Sequence, residues 1–192
     1  MINYQTREQW LEAAMSELSP RFAALGHPLP DKIRVTCGFT SGGTRKRNGK
    51  AQIGECWDAS RSGDQAFEIM VSPVEDDPVK VLAILTHELC HAAAGLTCGH
   101  RGTFAKLARG MKLEGALNAT FGGIDFANIG GTVLRAIGDY PHAKLDTFKR
   151  PKQGIRMQLC RCDTCGYSVR TTAKWLSYGA PHCPNHGAMT IV

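Results

Sequence analysis

The sequence predicts an α+β domain followed by a small C-terminal module rich in cysteine. Helical spacing of apolar residues alternates with short strand-like segments over the first 115 residues. One of the predicted helices is apolar nearly all round, which is typical of a helix at the centre of a core. Four of the eight cysteines lie in the last 33 residues. We therefore expect a core over 1–115, a glycine-rich connecting segment over 116–150 and a separate module over 151–192.

The first predicted elements are a helix over about 6–25 and three short strands. Thr6 and Gln9 form a capping box, and apolar residues follow at helical spacing: Trp10, Leu11, Ala14, Met15 and Leu18. The strands are predicted over 33–39, 51–57 and 67–72, because turn-rich sequences separate these segments. We expect them to form a small antiparallel sheet.

The predicted central helix covers about 18 residues, beginning at Asp77-Pro78 and ending at Gly95. Aspartate suits the N-cap, proline suits the first helical position, and glycine is common just after the last turn. A shorter helix is predicted from Gly102 to about Met111. The glycines that follow disfavour both helix and strand, so we expect 116–150 to be irregular or partly helical.

The central helix carries the sequence His87-Glu88-Leu89-Cys90-His91. Residues four apart lie about one turn from each other, so both imidazoles project from one face and are able to bind one Zn²⁺. Glu88 is able to reach a water on the metal without being a ligand itself. Burying these polar groups without partners costs several kcal/mol. A catalytic metal site is therefore favoured over core histidines bonded to backbone carbonyls.

A catalytic zinc ion takes three protein ligands and keeps a fourth position open, so a third ligand is needed. His100 is the best candidate, because glycines on both sides let its loop fold back across the helix. Glu114 and Cys98 stay open as alternatives. Candidates to stabilise an oxyanion are Arg101, Tyr140 and His142.

Two metal-binding knuckles in the C-terminal module predict a second zinc ion. Cys162 and Cys165 form a C-x₂-C pair, and Cys183 and His186 form a C-x₂-H pair, with 17 residues between Cys165 and Cys183. Structural zinc takes four nitrogen or sulfur ligands from two such turns, which is the pattern of a zinc ribbon. A module of about 40 residues has too little core to fold alone, so the metal is expected to stabilise it. Spare donors nearby are Cys160 and His182.

The net charge of +6 lies entirely in the segment from Lys149 onward, where seven basic residues oppose one acid. Three aromatic residues are interleaved there with three cations: Tyr167, Trp175 and Tyr178 with Arg161, Arg170 and Lys174. Rings that stack on bases beside cations that pair with phosphates are typical of single-stranded or junction DNA binding. We expect DNA contacts from Arg161, Arg170, Lys174 and Trp175, and we expect at least one aromatic ring to pack in the small core.

A second basic cluster, Arg45-Lys46-Arg47 with Lys50, precedes the second predicted strand. A solvated hairpin loop explains this cluster as well as a nucleic-acid contact does.

No segment is long and apolar enough to cross a bilayer, because charged and histidine residues interrupt the best candidate over 79–96. The N-terminal residues lack the basic and apolar regions of a secretory signal. Cysteines in a reducing compartment serve as metal ligands more often than as disulfides. We expect a cytoplasmic protein, bacterial or phage-encoded in a host cytoplasm, with no membrane contact.

These motifs together resemble a known family. His-Glu-Leu-Cys-His at 87–91, followed by Gly-His-Arg-Gly-Thr-Phe at 99–104, is similar to the SprT-like metalloprotease domain, whose members include Spartan, a protease of DNA-crosslinked proteins. The resemblance covers about 5–112 and 155–192, including the segments 53–57 and 67–72; within 113–150, only 138–142 resembles bacterial and phage relatives. It implies a zincin-like core in which His87, His91 and His100 bind zinc and Glu88 is the catalytic base.

The resemblance implies a zinc-dependent endopeptidase that acts on DNA-associated or DNA-crosslinked proteins and is brought to DNA by its zinc ribbon. Two zinc ions per chain are expected. Two alternatives stay open: a nucleic-acid-binding or transcription-associated zinc protein without protease activity, and a general cytoplasmic peptidase without DNA targeting. The intact Glu88 favours an enzyme, because a structural site needs the histidines but not the base.

Overall fold

The computed structural model describes residues 4–42, 52–147 and 157–192. The chain forms two compact units, Met1–Phe148 and Lys149–Val192. The helices described in the first unit are α1 (Arg7–Ala24), α2 (Pro78–Ala94), α3 (Gly102–Gly110) and α4 (Ile124–Ile137). Its strands are β1 (Ile33–Cys37), β2 (Gly54–Trp57), β3 (Phe67–Val71), β4 (Leu113–Ala116) and β5 (Ala119–Gly122).

The local sequence sets the ends of the two long helices. Thr6 Oγ1 accepts the backbone N–H of Gln9 at 3.2 Å, and the Gln9 side chain accepts the backbone N–H of Thr6, so the predicted capping box is confirmed. The α2 helix begins after Asp77, whose carboxylate accepts a backbone N–H at 3.0 Å, and ends at Gly95 with φ +76°. Pro20 lies inside α1 and does not end that helix.

The three predicted strands form a mixed sheet with the order β1-β3-β2. β2 is antiparallel to β3, whereas β1 is parallel to β3, so the expected all-antiparallel sheet is wrong for this pair. The chain forms the edge strand β2 before it returns as β3 in the middle of the sheet. Alternating side chains indicate which face of a strand is buried, but they do not indicate which strand lies next to it.

The α2 helix is at the centre of the first unit, as predicted. It contacts α1, α3, α4, the mixed sheet and β5. Its buried apolar side chains include Val81, Leu82, Leu85 and Leu89. The charged Glu88 is buried with them, at 6% exposure.

The segment 116–150, expected to connect two domains, belongs largely to the first unit. β4 and β5 form a hairpin, and α4 buries Phe126, Ile129 and Val133 in the core. The expected boundary after residue 115 is therefore wrong. Glycines weakened the helical signal in this segment, although Gly130 is buried within α4.

Residues 138–142, near the end of the first unit, contact α1 and its N-terminal flank. Trp10 Nε1 donates to the Gly138 carbonyl oxygen at 3.0 Å, and the Tyr140 ring packs edge-on against Trp10 at 4.9 Å. His142 Nε2 lies 2.9 Å from the backbone oxygen of Gln5. This segment therefore has a structural role in closing the core.

The second unit consists of short strands with one helical turn. The described elements are β6 (Met157–Arg161), β7 (Ser168–Thr172), α5 (Ala173–Leu176), β8 (His182–Cys183), β9 (Gly187–Ala188) and β10 (Thr190–Ile191). One antiparallel sheet has the order β10-β6-β7, and β8 pairs with β9. None of the helices described in either unit combines the length and apolar character that a membrane crossing requires.

Candidate metal centres

The α2 helix and the loop before α3 bring three histidines together. His87 and His91 lie one turn apart on α2, and His100 faces them from the loop. Their ligand nitrogen atoms all lie within 4.8 Å of one another, and the Nε2 atoms of His91 and His100 are 3.2 Å apart. Gly99 and Gly102, on either side of His100 and Arg101, have φ of +52° and +51°, backbone conformations that favour glycine.

The two alternative third ligands have other partners. Glu114 packs on the backbone of Gly123 at the first turn of α4, where a Cβ on that glycine would overlap its carboxylate. The Cys98 thiol lies 3.2 Å from the backbone oxygen of Gly95. Neither residue belongs to the histidine cluster. The structure therefore brings His100 to the two helix histidines.

Burial adjusts the protonation of the cluster. Burial, together with the neighbouring imidazoles, lowers the pKa of His87 to about 3 and that of His91 to about 4. Neutral imidazoles have a free nitrogen lone pair, which is the form that binds a metal. Burial also raises the pKa of Glu88 to about 8, and the charge of Glu55 adds to this effect. A pKa near the working pH suits a group that both accepts and returns a proton.

The spacing of the histidine nitrogens fits a zinc ion. Bonds of about 2.0–2.1 Å in tetrahedral geometry place two nitrogen ligands about 3.3–3.4 Å apart. The observed 3.2 Å between His91 and His100 is close to this value. Three nitrogen donors leave a fourth position open, which is the arrangement of catalytic zinc sites.

Three further residues shape this centre, and the sequence analysis assigned none of them a role. Phe104 is fully buried under the cluster, with its ring 4.3–5.0 Å from all three imidazole centroids. Thr120 Oγ1, on β5, lies 2.7 Å from His87 Nδ1. Gly54, on β2, faces Glu88 so closely that a Cβ would overlap its carboxylate. Of these three residues, only Gly54 has a sequence signal for its role, because an isolated glycine in a strand indicates that another group closely approaches the backbone.

One open cleft adjoins the histidine cluster at His100. It has a volume of about 490 Å³ and is lined by Thr97, Cys98, Gly99, His100, Arg101, Leu117 and Asn118. A second cleft shares Thr97 and runs along β2, without any of the three histidines in its lining. Of the three candidates for oxyanion stabilisation, Arg101 lines the first cleft. Tyr140 and His142 are wrong for this role, because both contact α1 and its N-terminal flank.

The second unit brings together the four predicted ligands of a zinc ribbon. The Sγ atoms of Cys165 and Cys183 are 3.6 Å apart, and His186 Nδ1 lies 3.7 Å from Cys162 Sγ and 3.5 Å from Cys183 Sγ. Tetrahedral zinc places two sulfurs about 3.8 Å apart, and sulfur and nitrogen about 3.5 Å apart. The glycines after the two knuckles, Gly166 and Gly187, have φ of +76° and +86°, as the tight turns require.

The first knuckle favours the thiolate of Cys162. Hydrogen bonds, chiefly from the backbone N–H of Cys165, lower the pKa of the Cys162 thiol to about 6. The pKa of the Cys165 thiol is raised, because burial and the neighbouring thiols outweigh the backbone N–H of Tyr167. The spare donors lie outside the cluster: Cys160 is fully buried in the small core, and His182 is exposed. Both groups of donors could therefore hold metal ions, and their chemistry is consistent with zinc.

The two sites suit different chemistry. The first has three imidazoles beside a buried carboxyl group and an open cleft, whereas the second has three thiols and an imidazole. No family model, curated protein or solved structure matches this chain. The two donor sets and their surroundings are therefore the basis for a proposed function.

The predicted DNA-contacting residues lie on the surface of the second unit. Arg161 and Arg170 point to the same face of the β6–β7 pair, because Arg161 is two residues from Leu159, the partner of Arg170. Lys174 Nζ lies 5.0 Å from the Trp175 ring centroid, and Tyr178 lies 6.1 Å from that ring. These residues form groups of exposed cations and rings.

The expectation that one aromatic ring packs in the small core is wrong. Tyr167, Trp175 and Tyr178 are all exposed, at 47%, 59% and 82%. The core is instead formed by Cys160, Cys162, Cys183 and Met189, with Val169 and Leu176 packed against them. The basic cluster at 45–50 lies outside the described residues.

Proposed function

We propose that this chain is a zinc-dependent endopeptidase of the SprT-like type, with a zincin-like core, that acts on DNA-associated or DNA-crosslinked proteins. The observation that carries the proposal is the convergence of His87, His91 and His100 beside the buried Glu88 at an open cleft. A site that bound zinc only for structure would have no need of a buried carboxyl group that has no ligand role.

The three histidines would hold the catalytic ion through neutral imidazole nitrogens. A zinc ion bound there supplies Lewis acidity, which polarises a peptide carbonyl and acidifies water. The chain contributes a fixed set of donors for it: α2 holds His87 and His91, and Phe104 packs below all three rings.

Glu88 is the proposed catalytic base and acid. Its carboxylate accepts a proton from water as the water oxygen bonds to the peptide carbonyl carbon. It then delivers that proton to the leaving nitrogen as the carbon–nitrogen bond breaks, so the carboxylate is regenerated. Burial between α2 and Gly54 keeps Glu88 in one position, which supports both transfers.

The zinc ribbon is the proposed DNA-targeting part. All of the +6 net charge belongs to the segment from Lys149 onward, and the exposed Trp175 and Tyr178 rings lie beside Lys174. Exposed rings next to cations suit single-stranded or junction DNA, where unpaired bases are free to stack. Binding there would concentrate the protease on proteins attached to DNA.

The decisive experiment measures cleavage of histone and casein by the full chain, with and without single-stranded DNA. Glu88→Gln should lower cleavage by at least about 100-fold while the zinc content stays near wild type, because Glu88 moves protons and is not a ligand. Glu114→Gln is the matched control, since this carboxylate lies outside the histidine cluster and should leave activity intact.

Three outcomes separate the alternatives. Histone cleavage that DNA stimulates and Glu88→Gln abolishes supports the proposal. Cleavage that DNA does not change favours a general peptidase. A zinc-loaded wild-type chain that binds DNA but cleaves neither protein favours a nucleic-acid-binding zinc protein without protease activity.

A further inference from the structure

His87 has a partner on the ring nitrogen that points away from its fellow ligands. Its Nδ1 lies 2.7 Å from Oγ1 of Thr120, a residue 33 positions later on the β4–β5 hairpin. Among the described residues, this is the one hydrogen bond that holds a ring of the histidine cluster from outside the cluster. It therefore links a ligand on α2 to a second element of the fold.

This contact occupies Nδ1 of His87 and leaves Nε2 as the ring nitrogen without this partner. A neutral imidazole carries its proton on one nitrogen and a lone pair on the other. With Nδ1 engaged by Thr120, Nε2 of His87 remains for the ion, and Nε2 is also the atom through which His91 and His100 approach each other. The three rings then offer the same type of nitrogen to one point.

The hairpin is packed so that Thr120 reaches this position. Gly122 lies against α2 and α4, where a Cβ would come within 3.2 Å of the Ala83 Cβ and 2.6 Å of the Phe126 ring. A glycine at 122 therefore lets β5 approach α2 closely, two residues from Thr120. Gly115, with φ +90°, belongs to the same hairpin on β4.

We infer that Thr120 is a positioning residue of the histidine metal centre: its Oγ1 accepts the Nδ1–H of His87 and so fixes the tautomer and ring orientation that present Nε2 to the ion. Partners of this kind, which bond to the second nitrogen of a histidine ligand, commonly change metal affinity by 10- to 100-fold when removed. The inference rests on the proposed function for the identity of the ion. It assigns the β4–β5 hairpin a part in positioning the metal ligands.

The test compares three full-length variants by zinc retention against increasing concentrations of a chelator. Thr120→Val removes the hydroxyl at nearly constant volume and should weaken zinc binding at the histidine site by about 10- to 100-fold. Thr120→Ser keeps the hydroxyl and should restore affinity close to wild type. Thr132→Val removes an exposed hydroxyl from α4 and should change nothing at this site.

The zinc ribbon provides an internal reference, because its ligands belong to the other unit of the chain. At intermediate chelator concentration, Thr120→Val should retain one zinc ion per chain where wild type and Thr120→Ser retain two. His100→Ala supplies the reference profile of a chain that lacks metal at the histidine site.

A spectroscopic readout separates positioning from general stability. Nitrogen-15 NMR of the metal-free chains should find the His87 proton on Nδ1 in wild type and Thr120→Ser, and moved towards Nε2 in Thr120→Val. The unfolding temperatures of the metal-free variants should be the same. A lower unfolding temperature in metal-free Thr120→Val with unchanged zinc affinity would mean that Thr120 is structural, and would overturn the inference.

The results also distinguish this inference from the proposed function. Wild-type zinc affinity in Thr120→Val overturns the positioning role even if the wild-type chain is a protease. A wild-type chain that binds zinc at the histidines but cleaves no protein defeats the proposed activity. In that case the loss of zinc affinity in Thr120→Val still supports the positioning role.

Discussion

Gly54 shows how one residue without a side chain defines the surroundings of a reactive group. Its Cα faces α2 at the level of Glu88, and a Cβ would overlap that carboxylate and lie 2.8 Å from Ile84 Cγ2. The Ile84 methyl group does not move away cheaply, because a β-branched side chain has one strongly preferred χ1 rotamer in a helix. The glycine therefore lets β2 cover Glu88 and keep it buried.

Gly54→Ala should displace Glu88 and impair proton transfer without removing a metal ligand. We expect kcat/KM to fall at least about tenfold and the free energy of unfolding to fall by about 1–3 kcal/mol, as overpacking typically costs. Zinc content should stay near wild type. Peptidase assays, elemental analysis and urea unfolding measure these three quantities.

Gly63→Ala is the matched control, because a Cβ at Gly63 meets no atom within 4 Å. Its free energy of unfolding should stay within about 0.5 kcal/mol of wild type. Full activity in Gly54→Ala would contradict the role assigned to this close contact.

At the scale of elements, the described part of the second unit has a small core. Its buried residues are Cys160, Cys162, Cys183 and Met189, so three of the four are cysteines. A core of this size rarely stabilises a module of about 40 residues alone. Metal binding should therefore supply much of the folding free energy of this unit.

His186→Ala should lower the zinc content from two ions to one per chain and broaden the NMR signals of the ribbon strands. The physical reason is that three thiolates leave the ion without its fourth ligand. His182→Ala is a close control, since His182 is also exposed and only four residues away but lies outside the ligand cluster. Loss of zinc in both variants would contradict the assigned ligand set.

At the scale of the whole molecule, charge is separated along the chain. The first 148 residues carry no net charge, and the segment from Lys149 onward carries +6. A cationic segment attached to a core without net charge suits recruitment to a polyanion, because phosphate contacts release counterions and need no sequence recognition.

Lys174→Ala and Trp175→Ala should weaken single-stranded DNA binding in different ways. Loss of one phosphate contact should reduce the magnitude of the slope of log affinity against log salt concentration by about 0.7. Loss of a stacking ring should lower the affinity with little change in that slope. Fluorescence anisotropy titrations over a range of salt concentrations measure both. Lys106→Ala, on the neutral unit, should change neither, and equal slopes for Lys174→Ala and wild type would contradict the proposed contact.

Local signals made the helices and ligand sets predictable from sequence. The Thr6 capping box, the Asp77-Pro78 helix start and the ligand spacings each involve residues a few positions apart. Such features are therefore visible in the sequence itself. The direction in which β1 pairs with β3 depends on distant pairing, and the antiparallel expectation was wrong for that pair. The β4–β5 hairpin was missed, and α4 was expected only as partly helical structure, because glycines such as Gly122, which serves packing, look like loop signals. Thr120 belongs to no motif, and only the fold brings it to His87.

The contacts between α1 and residues 138–142 determine when the first unit is able to finish folding during synthesis. α1 is synthesised first, but its Trp10 cannot reach Gly138 and Tyr140 until more than 120 further residues have been translated. A long-range contact of this kind forms only after the later of its two partners has been synthesised. The first unit is therefore complete only when nearly all of it has left the exit tunnel, and a nascent chain interrupted before residue 138 would hold the three clustered histidines in an unfinished core.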